Sequence, residues 1–390
     1  MKDNHAVLAV LIDFSKAFNR QDHNILITLL CDLGVPGWLL NIVGSFLEDR
    51  ELLLRYQGYT AKSRKLPGGG PQGTVLGMFL FIVLINLIGF SDQDRQLGSI
   101  ITKPLNKRKP MKNIHLKFVD DMTVAESLNL KKQLIANPST DQPRPLEFHN
   151  RTEHILPESV SQIISLLKDI QDYTDTHKMK INCDKSKVIL FNTARKFDFK
   201  PLLSFGESEC MNIVESTVLL GVQIQSNLKW NLNTDYICTR AYSRIWMMRR
   251  LKAHGADTED LVDVYMKQVR CVLELAVSVW SPGITAGQVT QIERVQKAAC
   301  AVILGDNYHD YKNALSVLKL KTLCDRRKDL CIRFGKNCVK SDKYKHWFVE
   351  RQSDVNNIQT RSDKTNLLTV NSRTNRYSKS PLPYLTSLLN

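Results

Sequence analysis

The sequence predicts an α+β chain, in which an antiparallel sheet with helices packed on one face is followed by an all-helical region. Three observations predict it. Two apolar runs, Ala6–Ile12 and His115–Val119, each end in acid, at Asp13 and at Asp120-Asp121. Two shorter runs with strand character follow, Val188–Phe191 and Val218–Ile224. From about residue 234 onward, apolar residues recur at helical spacing almost without interruption.

Each element has its own reason. Ala6–Ile12 (AVLAVLI) is continuously apolar, as a strand buried on both faces is. Ala17–Leu33 reads as one helix, stopped by Gly34 and Pro36, and Trp38–Leu47 as a second. Glu51–Tyr56 and Thr60–Leu66 flank Gly58 as a hairpin. Pro67-Gly68-Gly69-Gly70-Pro71 is a sharp loop, and Thr74–Phe90 a buried helix. Its apolar stretch contains Asn86 and falls short of the roughly 18–20 residues of a membrane span. His115–Val119 is a strand, with Thr123–Ala125 as its return partner. Residues 131–158 are polar and proline-bearing, a loop or insertion. Val160–His177 is a helix with Ile163, Ile164, Leu167 and Ile170 in its apolar stripe. Leu261, Val264, Tyr265 and Val269, then Ile292, Val295, Ala299 and Ile303, mark helices further on. Residues 351–378 are polar and expected to be poorly ordered. The expected organisation is a sheet-bearing unit over 1–228, a basic helical unit over 229–350, and a polar tail over 351–390.

The 390 residues carry a net charge of +15. A chain this basic usually meets a polyanion. The excess is uneven. Residues 1–228 hold 27 Lys/Arg against 24 Asp/Glu, and residues 229–390 hold 27 against 15. Phosphate-backbone binding is therefore expected mainly in the C-terminal part. The nine cysteines include no CxxC, which points to a reducing compartment and buried thiols. Cys324, Cys331 and Cys338 lie seven apart beside Leu323, Leu330 and Phe334, so they read as one buried helix face rather than a zinc site. Met1-Lys2-Asp3-Asn4-His5 does not open a signal peptide, so an intracellular protein, nuclear or cytoplasmic and without a membrane partner, is expected.

The chemistry is expected at the acids. A carboxylate closing an apolar strand is costly unless a cation meets it. If the two acid-ended strands are neighbours, Asp13, Asp120 and Asp121 converge on one sheet edge, where Mg²⁺ is the natural counterion. Two such ions can activate a 3′-hydroxyl and stabilise a leaving pyrophosphate. Side chains alternate in a tight turn, so Asp120 is expected as the firm ligand and Asp121 as ancillary. Singly these signals are weak: an Asp before a helix usually caps it, and Asp-Asp in a turn is usually solvated.

Their order lifts them together. Leu11-Ile12-Asp13-Phe14-Ser15-Lys16-Ala17-Phe18 resembles motif A of reverse transcriptases. Leu66-Pro67-Gly68-Gly69-Gly70-Pro71-Gln72-Gly73 resembles motif B, Phe118-Val119-Asp120-Asp121 motif C, Met179–Lys187 motif D and Leu220-Gly221-Val222 motif E. Val279-Trp280, Glu293–Ala299 and Arg326-Arg327 are similar to the thumb and following helices of non-LTR (LINE-type) retrotransposon polymerases. The resemblance implies a polymerase palm, then a helical thumb and C-terminal region, and RNA-directed DNA synthesis with two Mg²⁺, Mn²⁺ being the alternative ion. It implies an RNA template, a DNA primer and deoxynucleoside triphosphates as partners. Asp13, Asp120, Asp121 and the Phe14 carbonyl would hold metal. Phe18 would be the aromatic gate under the sugar, Gln72 and Gly73 would contact the nucleotide, and Lys185 would protonate pyrophosphate. Leu220 and Gly221 would hold the primer end.

The chain also departs from that pattern. The resemblance implies a fingers subdomain ahead of motif A, and only 12 residues precede Asp13, so the expectation is an N-terminally truncated copy with fingers missing. Asn86-Leu87 stands where Asn-Asp is common, and Val119 where Ala is common. A catalytically inactive remnant that still binds nucleic acid is the main alternative. An RNA-directed RNA polymerase is disfavoured by Phe18, and a maturase-like factor would be expected to carry a different C-terminal module.

Overall fold

The computed structural model describes residues 5–66, 68–71, 73–86, 88, 114–118, 121–129, 158–191, 204–205, 209–348, 367, 372 and 374–390. They form two compact units, 1–215 and 216–390.

The first unit is built on a five-stranded sheet. Its strands are β1 (His5–Ile12), β6 (Ile114–Phe118), β7 (Asp121–Asn129), β8 (Lys187–Phe191) and β11 (Asn212–Ile213), in the order β11-β8-β1-β7-β6, while β9 (Ser204–Phe205) and β10 (Glu209–Cys210) pair as a separate ribbon. All neighbours are antiparallel except β8 and β11, so the sheet is mixed at one edge rather than wholly antiparallel. β1 is paired on both sides, and Ala6, Leu8, Ala9, Val10 and Ile12 are all buried, which is what its unbroken apolar run predicts. Three helices accompany the sheet: α1 (His23–Asp32), α2 (Gly37–Leu47) and α3 (Val75–Asn86). A fourth, α4 (Glu158–Thr176), packs Ile163, Leu167, Ile170 and Tyr173 into the core with Phe81, Leu84 and Ile85 of α3. The Tyr173 hydroxyl donates to the Leu84 carbonyl at 2.9 Å.

Two expectations need correction here. Ala17–Leu33 is not one helix: a 3-10 turn, Ala17–Arg20, ends at an extended Gln21, and α1 starts afresh at His23. The break is made by Asp22, whose Oδ1 accepts the Asn24 and Ile25 amides. The helix after the glycine loop is not buried all round, since Val75, Met78, Phe79 and Ile82 are exposed. Between α2 and the glycine loop runs the expected hairpin, formed by two short ladders. Its strands are β2 (Glu51–Leu52), β3 (Arg55–Tyr56), β4 (Tyr59–Thr60) and β5 (Arg64–Lys65). The polar segment 131–158 lies outside the described residues except for its last residue, which opens α4.

The second unit opens with a hairpin of β12 (Ser216–Leu219) and β13 (Val222–Gln225). The sequence reads Val218–Ile224 as one strand. The chain instead reverses at Leu220 and Gly221, both at positive φ. Val222 belongs to the helical core, so the unit begins at 216 rather than after 228. Its long helices are α5 (Asn231–Ala253), α6 (Ala286–Leu304) and α7 (Leu323–Lys340). Tyr265, Val269, Trp280, Ile292, Val295 and Ala299 fill the core between them. Cys331 and Cys338 are buried and Cys324 half-buried, but Phe334 is exposed and leaves the expected cysteine face. Most of 351–378 lies outside the described residues.

Candidate functional site

The end of β1 is the centre of the candidate site. The β1–β7 ladder ends with Ile12 paired to Met122, so the next residue of each strand's chain at that end is Asp13 on one side and Asp121 on the other. β6 pairs Phe118 directly with Asp121. The two residues between them, Val119 and Asp120, lie outside the described residues, so Asp120 is not located. Asp121 is located by its backbone, as the first residue of β7.

The segment Met179–Lys187 docks onto β1's end. Asn182 donates its amide to the Asp13 carbonyl at 2.8 Å, and the Ser15 amide donates to the Lys180 carbonyl at 2.8 Å. Phe14 bridges Ile181 between these two bonds. In an antiparallel pair bonded through its flanking residues, the central residue's own amide and carbonyl point outward. The Phe14 carbonyl therefore faces away from this segment. The Asp13 amide donates to the Oγ of fully buried Ser186 at 3.1 Å. Both backbone groups of Asp13 are thus fixed, while no described residue pairs with its carboxylate. Lys185 is exposed and immediately precedes Ser186. At the other end of the segment, Lys178 donates to Asp22 Oδ2 at 2.7 Å. That bond, with the α1 amides, holds the Asp22 carboxyl below its usual range.

The glycine loop docks where the 3-10 turn ends. The break at Gln21 frees two carbonyls: Gly70 donates to the Phe18 carbonyl at 2.7 Å and Gly69 to the Gln21 carbonyl at 2.8 Å. Gly69 has φ +83, and a Cβ there would stand 3.0 Å from Asn19 backbone atoms. His23 Nε2 donates to the Gly69 carbonyl at 2.9 Å, and Arg50 donates to the carbonyls of Gly68, at 3.1 Å, and Gly69. Phe18 is half-buried with its ring 4.3 Å from that of Phe81, so one face of the ring is taken by the core. Gln72 lies outside the described residues; Gly73 is exposed at φ +85.

Leu220 and Gly221 belong to the second unit, at the tip of the β12–β13 hairpin. Leu220 is exposed, and a Cβ on Gly221 would meet Leu275 Cδ2 at 2.8 Å. Gln223 and Leu232 complete the seat: the Gln223 amide donates to Asn233 Oδ1 at 3.1 Å, and the Leu232 amide to Gln225 Oε1 at 3.2 Å. Sequence reasoning singled out no role for Ser186, Asn182, His23, Arg50 or Leu275. The signal for the first two was their place inside Met179–Lys187. The others act through contacts that no local pattern announces.

Among the described residues, no three His, Cys, Asp or Glu side chains gather as a metal-binding group, and no helix is long and apolar enough to cross a membrane. No protein-family model matches the chain. Over 75 residues it is 37% identical to the "Probable RNA-directed DNA polymerase from transposon BS" of Drosophila melanogaster, covering 19% of this chain and 8% of that protein. Apo telomerase from Candida tropicalis aligns at 13% identity with TM-score 0.34, over 80% of this chain and 46% of that one. Telomerase from Candida albicans, solved with the TWJ fragment of telomeric RNA, aligns at 8% identity with TM-score 0.27, over 87% and 48%. The chain spans less than half the length of each of these proteins. Over those 75 residues its sequence is similar to that of an RNA-directed DNA polymerase.

Proposed function

We propose that this reverse-transcriptase-like chain carries the palm and helical thumb of an RNA-directed DNA polymerase of the non-LTR retrotransposon kind. It would add deoxynucleotides to a DNA primer on an RNA template. The observation that supports the reading is that the β1–β7 ladder ends at Ile12 and Met122, one residue short of Asp13 and of Asp121, at the same end of the sheet. Two carboxylates at neighbouring strand ends repel unless cations are shared between them.

The donors suit a hard divalent ion: carboxylate oxygens, and a backbone carbonyl at Phe14 aimed away from the docked segment. Asp13, Asp120, Asp121 and that carbonyl would hold two Mg²⁺, which supply charge neutralisation at the reacting phosphate when bound. The chain's own residues do the rest. Ser186 and Asn182 fix the Asp13 backbone, so only its side-chain torsions remain to be set when a cation binds. Phe18, braced on Phe81, closes the space beneath the sugar. Gln72 and Gly73 contact the incoming nucleotide. Lys185, next to Ser186, delivers a proton to the leaving pyrophosphate. Leu220 and Gly221 support the primer end.

The test is primer extension on an RNA template with Mg²⁺, wild type beside Asp13→Asn. Weak wild-type extension is expected, with a further loss on the order of 10²–10³-fold or more in the variant, the scale seen when one reaction-stabilising group is removed. Equal extension by both proteins, or none by either, overturns the proposal; retained RNA binding in the second case would leave an inactive nucleic-acid-binding protein.

A further inference from the structure

We propose that the hairpin between Glu51 and Leu66 is an arm that grips a single strand of RNA. Tyr56 and Tyr59 form its stacking face, and Arg55, Lys62, Arg64 and Lys65 are its phosphate contacts. Every residue from 51 to 66 is exposed, Tyr56 at 68% and Tyr59 at 85%. A two-stranded ribbon with no buried face gains little stability by itself. Large rings held in water at its tip are a poor end state, and a good starting point for binding.

The ladder decides which side chains act together. Tyr56 pairs directly with Tyr59 across a two-residue turn, Gln57-Gly58, with φ +45 and +83. Directly paired residues share a face, so both tyrosines project from the same face of the ribbon, and Leu54, whose carbonyl accepts the Ala61 amide at 2.8 Å, lies on that face too. Arg55 and Thr60 occupy the opposite face. Nearer the base the pairing is Leu52 with Arg64 and Glu51 with Lys65, shifted by one residue from the tip ladder. The return strand thus carries one extra residue around Lys62-Ser63, a bulge that adds twist to the ribbon.

Charge selects the partner. The arm has four cations against one acid, Glu51. Lys65 is partly offset by Asp49 at 3.5 Å, whereas Arg55, Lys62 and Arg64 have no acidic partner among the described residues. Paired rings at a tip backed by unpaired cations suit unstacked bases and phosphates, which is the chemistry of a single nucleic-acid strand.

The base of the arm is tied to the glycine loop. Arg50 accepts the Leu66 amide on its carbonyl at 2.8 Å, while its guanidinium holds the Gly68 and Gly69 carbonyls. A strand held on the arm is thereby set in register with the loop that precedes Gln72 and Gly73. That last step rests on the polymerase reading; the binding itself does not.

The experiment measures binding by the full chain, not extension, so a failure of the polymerase assay leaves it interpretable. Fluorescence anisotropy would follow a labelled, mixed-sequence single-stranded RNA of about 20 nucleotides, long enough to cover such a site. Tyr56→Ser with Tyr59→Ser is expected to weaken binding on the order of tenfold or more, with the salt slope unchanged. Arg55→Gln with Arg64→Gln is expected to lower the log-affinity against log-salt slope by about 1.4, since each phosphate of a single strand that is no longer neutralised lowers it by about 0.7. All four positions are exposed, so the variants are expected to fold, and matching circular dichroism spectra would check this. Ultraviolet crosslinking of the same RNA should yield adducts within 51–66. Wild-type affinity and slope in both variants, or adducts only elsewhere, overturn the proposal. So does loss of a wild-type dimer in the tyrosine variant with RNA affinity unchanged, since the rings would then serve self-association.

Discussion

Gln21 is 2% exposed, and neither atom of its side-chain amide has a hydrogen-bond partner among the described residues. Leaving such a group buried and unpaired costs about 1–3 kcal/mol. Gln21→Met keeps the length of the side chain and removes the amide. It is expected to stabilise the protein by about 1–2 kcal/mol, read as a higher urea midpoint at unchanged slope. A lower midpoint would mean that the amide is bonded in solution. The residue was illegible in the sequence for a definite reason: a continuous helix over Ala17–Leu33 sends position 21 where the periodicity says, but the extended backbone at Gln21 turns it inward. Ser186 was hidden differently. Its partner, Asp13, is 173 residues away, and a small hydroxyl carries no pattern of its own. Asp13 itself was legible, because an acid closing an apolar strand is an anomaly that the local sequence displays.

At the scale of elements, Asp22 does two tasks. Its carboxylate caps α1, and it receives Lys178 from the segment that docks on β1. Removing a cap of this kind costs about 1 kcal/mol, and a half-exposed ion pair adds little to that. The pH dependence has a fixed sign. The Asp22 carboxyl is held below its ordinary range, so its contribution is present above the unfolded value near 3.9 and goes as pH falls through the lower native value. The stability gap between wild type and Asp22→Asn is therefore expected to be full near neutrality and to close below about pH 4. Denaturant titrations at a series of pH values measure it. A gap independent of pH would show that the charge is not what holds the two elements. The helix–sheet alternation was largely readable, as were the hairpin at Gly58 and the strand β1. The start of α1 was not read, because the apolar periodicity runs on through the Asp22 cap. The hairpin tip at Leu220 was not readable, because Leu at positive φ gives no warning in a sequence.

At the scale of the whole molecule, residues 216–390 own a core that includes Tyr265, Trp280 and Val295. This unit is expected to fold when expressed alone. Burial pushes the thiols of Cys238, Cys300 and Cys331 up to about 11 each. In the isolated unit at mildly alkaline pH, these three are expected to label far more slowly than exposed Cys271. Mass-spectrometric footprinting resolves them, and equal labelling would show that the unit does not fold by itself. The first unit faces a different constraint, set by where β1 stands. Its partners are Asn129 back through Met122 on one side and Phe191 back through Lys187 on the other. During synthesis at about 5–20 residues per second, the second of these partners follows β1 by on the order of ten seconds or more. Throughout that interval the most apolar strand of the sheet has no complete seat, and pairing over such distances is slow once all the parts exist. The fold of this unit is therefore won late on the ribosome, and the nascent chain, rather than the finished protein, is the form most in need of a chaperone.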